Sequence, residues 1–368
     1  MTTRRQFIAY AAAIASAPYS QKALAMEESY EDAVGRIWQP FNAPINNHLL
    51  LKREIVRYAT LAPSSHNTQC WQFKIEDNAI TLLADLTRRC PAVDPDDHHL
   101  FVSLGAATEN LMQAALANGL QANMVFDGNN TINFALEPTK PVASALYQAI
   151  TQRQCTRAEY DSNALTLEEL NLLEQAGTGD GVHILLHTEK QAMENILAYV
   201  VEANSAQMHD RAFLNELKMW IRFNKQEAIS TGDGLYSAIS GNRPMPRWLA
   251  EPLFNAFFTE KNENDKYAKQ IRSSAGIAIF VSDNNDKAHW LEVGRCYERF
   301  ALQATALGIR NAFLNQPVEV LKVRQQFSKH LGLGDETDIG SRPDLIVRFG
   351  KGKKMPQSLR RPVESVLI

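Results

Sequence analysis

Two arginines spaced by four, Arg153 and Arg157, flank a cysteine in the run Arg153-Gln154-Cys155-Thr156-Arg157. A guanidinium is planar, permanently charged and forked, so such a pair suits a phosphate dianion. If the segment is helical, the spacing puts both arginines on one face. Arg360, far downstream, could complete the clamp. A second candidate is the turn Pro63-Ser64-Ser65-His66-Asn67. Pro63 stops the apolar helix before it. Short polar side chains and free N–H groups then face outward, suited to a hydroxylated chain or a heterocycle edge. An ordinary serine-rich turn has the same composition. His66 is a candidate proton donor or polar wall, and equally a satisfied structural histidine.

Other constellations point away from chemistry. Asp94, Asp96, Asp97, His98 and His99 invite a metal reading, but their spacing matches no ligand pattern. Asp96 or Asp97 reads more simply as the N-cap of the following helix, and no metal is expected. The four cysteines, Cys70, Cys90, Cys155 and Cys296, match no zinc spacing and are too few for a disulfide framework, so mostly free, partly buried thiols are expected. Neither GxGxxG nor GxxxxGK[ST] occurs, so a dinucleotide fold or P-loop has no support.

The elements that must carry these residues repeat. Leu104 to Leu120 and Val293 to Ile309 both place small residues first, apolar residues at helical spacing next, and a glycine last. Gly105 and Gly294 occupy equivalent places, where small residues let two helices approach closely. Further helices are expected at Leu49–Leu61, Ala143–Gln152, Thr166–Ala176 and Lys190–Phe213, with Thr166 and Glu169 forming a capping box. Strands are expected at Trp71–Ile75, Ile80–Leu83, Asn123–Phe126, His183–His187, Ile277–Val281, Asn311–Leu314 and Leu345–Phe349. The pattern is α+β. Two units, 30–140 and 141–368, would meet near Pro138 to Pro141. The second carries a long insert at 217–269, punctuated by glycine and proline and interleaved with aromatics, which reads as a lid or as packing between the halves.

Composition excludes some functions. Of 368 residues 45% are apolar, and 38 Lys plus Arg nearly balance 41 Asp plus Glu, so neither a nucleic-acid nor a membrane surface is indicated. Residues 1–25 read as a signal. Arg4-Arg5 precede an apolar run from Ile8 to Ala17 and a small-x-small site at Ala23-Leu24-Ala25. The run falls short of the roughly 20 residues that span a bilayer. A basic N-terminus leading into an amphipathic helix is the alternative. The expectation is cleavage after Ala25, twin-arginine export to the periplasm, the export machinery as a partner, and no stable membrane anchor.

Taken together, the segments APSSHNTQCW (from Ala62), DPDDHHLFVSLGAA (from Asp94), LNQPVEV (from Leu314), SRPDLIVRFG (from Ser341) and RRPVESVL (from Arg360) resemble the nitroreductase superfamily. They are most similar to its tandem, single-chain Acg-like branch. The resemblance runs from about Leu50 to the end of the chain. It implies a nitroreductase-like α+β fold made of two half-units, bound FMN, and two-electron reduction of a small oxidised molecule. It gives Arg153, Cys155, Arg157 and Arg360 to the phosphate and ribityl chain. Pro63, Ser64, Ser65 and Asn67 become the turn facing the flavin from the opposite unit, and Asn315 and Gln316 lie at the ring edge. Cys155 stands where a Ser or Thr is usual, and a thiol is a weak donor. Cys70 replaces the usual proline before Trp71. In the second unit Ala176 to Gly181 stands where the Pro-Ser turn should recur, and the first unit lacks the paired arginines. One cofactor per chain is therefore expected, in a monomer acting as a pseudo-dimer. The alternative function is an FMN storage or redox-sensing protein whose insert covers the ring.

Overall fold

The computed structural model describes residues 29–41, 47–333 and 340–368; the export signal expected at 1–25 lies outside them. The first sheet contains β1 (Trp71–Ile75), β2 (Ala79–Ala84), β3 (Leu120–Phe126) and β4 (Thr131–Pro138) in the order β1-β2-β4-β3. Helix α1 (Tyr30–Trp38) and helix α2 (His48–Thr60) precede it, and α3 (His98–Ala117) joins β2 to β3. Helix α4 (Ala145–Ala149), a 3₁₀ turn at Ile150–Gln152 and α5 (Leu167–Gly177) lead to β5 (Val182–His187). Next come α6 (Lys190–His209), α7 (Arg211–Trp220), β6 (Ile221–Arg222), α8 (Lys225–Thr231), β7 (Leu235–Tyr236), α9 (Arg247–Phe257) and α10 (Glu260–Arg272). The chain ends with β8 (Gly276–Ser282), α11 (Lys287–Ala306), β9 (Ile309–Phe313), α12 (Gln316–Glu319), α13 (Leu321–His330) and β10 (Arg342–Lys351). The second sheet runs β5-β8-β10-β9. Both sheets are antiparallel, share the strand order first-second-fourth-third, and place their long helix between second and third strands.

Burial explains the strand sequences. In β4, Ile132, Phe134 and Leu136 are buried while Asn133, Ala135 and Glu137 are exposed, the alternation of a sheet with one wet face. β8 is buried throughout. Ala278 and Phe280 join the main core, and Ile277, Ile279 and Val281 face a second cluster with α6 and α13. A strand covered on both faces reads as a continuous apolar run, as Gly276–Ser282 does.

The long helices α3 and α11 cross at their glycines. A Cβ on Gly105 would lie 1.9 Å from the Leu291 carbonyl oxygen, and one on Gly294 would lie 2.0 Å from that of Val102. Gly119 and Gly308, just past the two helices, have φ of 77° and 72°, so a left-handed glycine ends each. The capping box of Thr166 and Glu169 is present.

Two expectations are corrected. Asp97 takes the N-cap position of α3 with φ 61°, but its side chain makes no cap bond. Asp94 does that work, its two oxygens accepting from the His99 and Leu100 N–H groups, while Asp96 pairs with Arg342. The helix expected at Lys190–Phe213 breaks at Asp210, whose carboxylate caps α7 instead. β4 was not anticipated, because only one side of it is apolar and Asn133 and Glu137 interrupt it. The 217–269 insert is largely helical.

Replacing Gly294 with alanine is expected to cost about 3 kcal/mol or more, since the added methyl meets backbone that cannot step aside. Denaturant midpoints measure this; an unchanged midpoint would show that the crossing tolerates separation.

Candidate functional site

Two adjoining cavities lie where the first unit's turn, the segment after α4 and the 352–368 tail converge. The larger holds about 560 Å³ and the smaller about 60 Å³, and both are lined by Pro63, Ser64, Arg157, Leu235 and Phe313. Ser65, His66, Asn315 and Gln316 line the larger; Asn67, Arg153, Cys155 and Arg360 line the smaller. The structure therefore brings all the sequence-nominated residues to one place.

The local conformation around the arginines is not helical. Arg153 has φ −64° and ψ 138°, and Cys155 bridges to Asn311. Arg153, Gln154, Cys155 and Arg157 nonetheless all border the smaller cavity. The shared placement expected from helical spacing is therefore reached without a helix.

The three arginines have different duties. Arg153 is buried, with Nε 3.1 Å from a Glu298 carboxylate oxygen and Nη2 donating to the Leu61 carbonyl at 2.7 Å. Burial pushes Glu298 up to about 7 against the pull of Arg153. Arg360 is saturated. Its Nε donates to Thr60 O, Nη1 to Asn67 Oδ1 and Leu359 O, and Nη2 to Leu61 O and Ala62 O. Five donors meet five acceptors, most of them carbonyls at the end of α2, where a cation is favoured. Burial, helped by Arg153, lowers its pKa to about 9. Arg360 is thus a positioning residue rather than part of the clamp. Arg157 differs. Its guanidinium makes no hydrogen bond or ion pair among the described residues, and it borders both cavities.

The turn is strained and held. His66, Asn67 and Gln69 have φ of 48°, 55° and 55°, a region costing roughly 1–2 kcal/mol for residues with a Cβ. Asn67 Nδ2 donates to Gly234 O at 3.0 Å and Leu359 O at 3.2 Å, and its Oδ1 accepts from Arg360. Gln69 donates to Gly232 O and accepts from Arg361 N. Asn67 therefore ties the turn to the insert and the tail while bordering the smaller cavity. Ser64 Oγ accepts from Gln69 N at 2.9 Å, which closes the turn on itself.

On the larger cavity, Asn315 Oδ1 accepts from Ile346 N, while Gln316 Nε2 donates to the Tyr267 hydroxyl at 2.6 Å. Gln316 Oε1 is buried without a partner among the described residues. Burial, then Arg157 and His99, lowers His66 to about 4, so at neutral pH its imidazole is uncharged and cannot act as a cationic acid.

Sequence reasoning did not nominate Trp38, Ile239, Tyr297 or Phe313, apolar walls of the two cavities. It also missed the covering aromatics Phe223, Phe254, Phe257 and Phe258. Apolar residues carry no local signal for lining a cavity rather than a core. A latch fastens this cover: Asp233 pairs with Arg222 at 2.6 Å and with Arg88, and both guanidiniums lie over the Trp220 ring.

Fold and site together define an α+β protein with an anion-facing, aromatic-covered cavity. The chain is 23% identical over 332 residues, 86% of its length and 90% of theirs, to a Mycobacterium tuberculosis protein named as an NAD(P)H nitroreductase. It is 23% identical over 331 residues, 85% of its length, to the NAD(P)H nitroreductase acg of the same organism, covering 94% of that protein. Among solved structures, a Bacteroides fragilis nitroreductase with bound FMN is 15% identical, with TM-score 0.36 over 59% of this chain and 95% of that one. The FMN-dependent nitroreductase NfnB of Mycobacterium smegmatis, in complex with NADPH, is 14% identical, with TM-score 0.37 over 58% and 94%. Structural likeness that shallow decides nothing by itself. No family model matches the chain.

The different duties of the arginines are separable. Arg360→Met orphans several buried carbonyls at about 1–3 kcal/mol each, so a stability loss above about 3 kcal/mol is expected. Arg157→Ala, which breaks no internal bond, should stay within about 0.5 kcal/mol of the parent. Chemical denaturation of both variants checks this, and the reverse ranking would return Arg360 to the clamp.

Proposed function

We propose that the chain is an FMN-dependent oxidoreductase of the nitroreductase type, exported to the periplasm, acting on a small oxidised molecule. One observation carries the reading: the uncommitted Arg157 guanidinium at the junction of two cavities lined by every residue that the sequence nominates. The donor chemistry fits FMN. Arg157 and the Cys155 side would hold the phosphate and ribityl end. Tyr297, Phe313 and Leu345 give the larger one apolar walls, and the unpartnered Gln316 Oε1 can accept from a ring N–H. When bound, the flavin supplies two-electron transfer. The chain's own residues bind the phosphate, orient the ring by its edge and exclude water beneath the aromatic cover. The neutral His66 forms a polar wall.

Two tandem half-units, 30–140 and 141–368, would make a pseudo-dimer with a single working site. The repeated strand order and the paired helices support this. So does the packing of the segment that replaces the turn: a Cβ on Gly179 would lie 2.5 Å from Cys296 Sγ and Glu292 Oε1. Glu109, four residues after Gly105 as Glu298 is after Gly294, is held there by Arg299. A flavin stored without turnover is the second reading, favoured by the cover of Phe223, Phe254, Phe257 and Phe258.

Purified protein is expected to hold one FMN per chain; a stoichiometry of two would end the single-site reading. Arg157→Ala loses a charge-assisted contact of about 1.5–3 kcal/mol, roughly a 10- to 150-fold weaker FMN affinity by titration calorimetry. Unchanged affinity removes Arg157 from the site. Anaerobic mixing with candidate donors, then with a nitroaromatic or quinone, separates turnover from storage by whether bound flavin is reduced and reoxidised.

The export reading has its own test. Arg4→Lys with Arg5→Lys keeps the charge but changes the address, so fractionation should find the variant in the cytoplasm. Equal periplasmic amounts of variant and parent would refute twin-arginine export. A parent confined to the cytoplasm would make NAD(P)H the natural electron donor.

A further inference from the structure

We propose that His66, Cys90 and Glu216 form a binding site for a divalent transition-metal ion of the zinc type, joining the cover of the larger cavity to its wall. The site does not depend on flavin binding. Its residues come from three separate places: the strained turn, the loop after β2, and helix α7, which leads into the insert. One ligand atom from each lies within 4.8 Å of the other two. The His66 Nδ1 to Cys90 Sγ distance is 3.5 Å. Zinc bonds of about 2.3 Å to sulfur and 2.0–2.1 Å to nitrogen at a tetrahedral angle give an N···S edge of about 3.6 Å. The two atoms are thus already separated as ligands of one ion would be.

The carboxylate is oriented as a ligand would be. Glu216 Oε2 accepts from Ala92 N at 2.8 Å and Oε1 from Val93 N at 3.2 Å. Each oxygen keeps a further lone pair, and such outer hydrogen bonds fix the direction of ligating carboxylates. A thiolate and a carboxylate together carry two negative charges, and a divalent ion neutralises them, leaving an uncharged buried unit. Thiolate, imidazole and carboxylate make the mixed set that zinc accepts. Three protein ligands leave one position open, as in sites that hold water or a substrate atom. His66 lines the larger cavity, which puts the triad just behind its wall.

A second group, Asp94, His98 and His99, is equally compact but differently used. There His98 Nε2 lies 2.8 Å from Asp344, so that ring already has a carboxylate partner in place of an ion. Sequence spacing gives no warning of the first group, because its members are 24 and 126 residues apart.

The test uses the full chain without an affinity tag, stripped by chelator and titrated with Zn²⁺ by calorimetry and with Co²⁺ by absorbance. One ion per chain is expected, with a near-ultraviolet thiolate-to-cobalt band. Cys90→Ser should abolish that band. It should also weaken Zn²⁺ binding by more than the roughly 10–100-fold that loss of an outer partner costs. Glu216→Gln should weaken Zn²⁺ binding while keeping the band, which preserves the test if Cys90→Ser misfolds. Cys296→Ser, another buried thiol, should change neither. Absence of stoichiometric binding, or binding that Cys90→Ser and Glu216→Gln leave intact, overturns the site.

Discussion

The structure depends on two helices touching through glycine. With Gly105 and Gly294 at the crossing, α3 and α11 meet backbone to backbone, closer than any side chain permits. That approach joins the two sheets into one core, which runs without interruption from Trp71 and Phe73 to Phe280 and Phe349. It also sets the depth at which α11 presents Glu298, one turn beyond Gly294. Glu298 holds Arg153, and Arg153 fixes the extended segment carrying Cys155 and Arg157. A wider crossing would shift that whole chain of contacts.

The cavity is held open by polar groups satisfied among themselves. Arg360 gathers the end of α2, Asn67 joins insert to tail, and Gln69 does the same one step further along. Their bonds keep three residues with side chains in left-handed conformations. The strain sits in the segment facing the cavity, and the surrounding hydrogen bonds fix it in one arrangement. Side chains that look from sequence like ligand contacts are often this supporting layer, because both tasks call for the same donors and acceptors.

Much was legible because repetition and punctuation are local. The glycines ending both long helices, the Thr166 capping box and the doubled helix pattern each follow from a few neighbouring residues. The β4 strand was not legible because one wet face mixes Asn133 and Glu137 into its apolar rhythm. Membership of the site could be read, since motifs mark it; division of labour could not. Whether Arg153, Arg157 or Arg360 remains uncommitted is decided by Glu298 and by carbonyls at residues 60 to 62, distant along the chain. The aromatic cover was hidden for a related reason: Phe254 and Phe258 look in sequence like any packed helix face.

The tail has a consequence for the order of assembly. Val366 O accepts from Phe73 N, and Ile368 N donates to Phe73 O, so residues beyond 365 add to the edge of β1. Arg360 sits a few residues earlier. Ribosomes make these residues after every other part of the cavity, and tens of residues remain shielded in the exit tunnel. The first sheet and α3 can emerge and collapse early, yet the Pro63–Asn67 turn lacks its anchor until residues 359 and 360 have emerged as well. A nascent chain stalled before residue 360 therefore displays the fold's first half without the anchored turn.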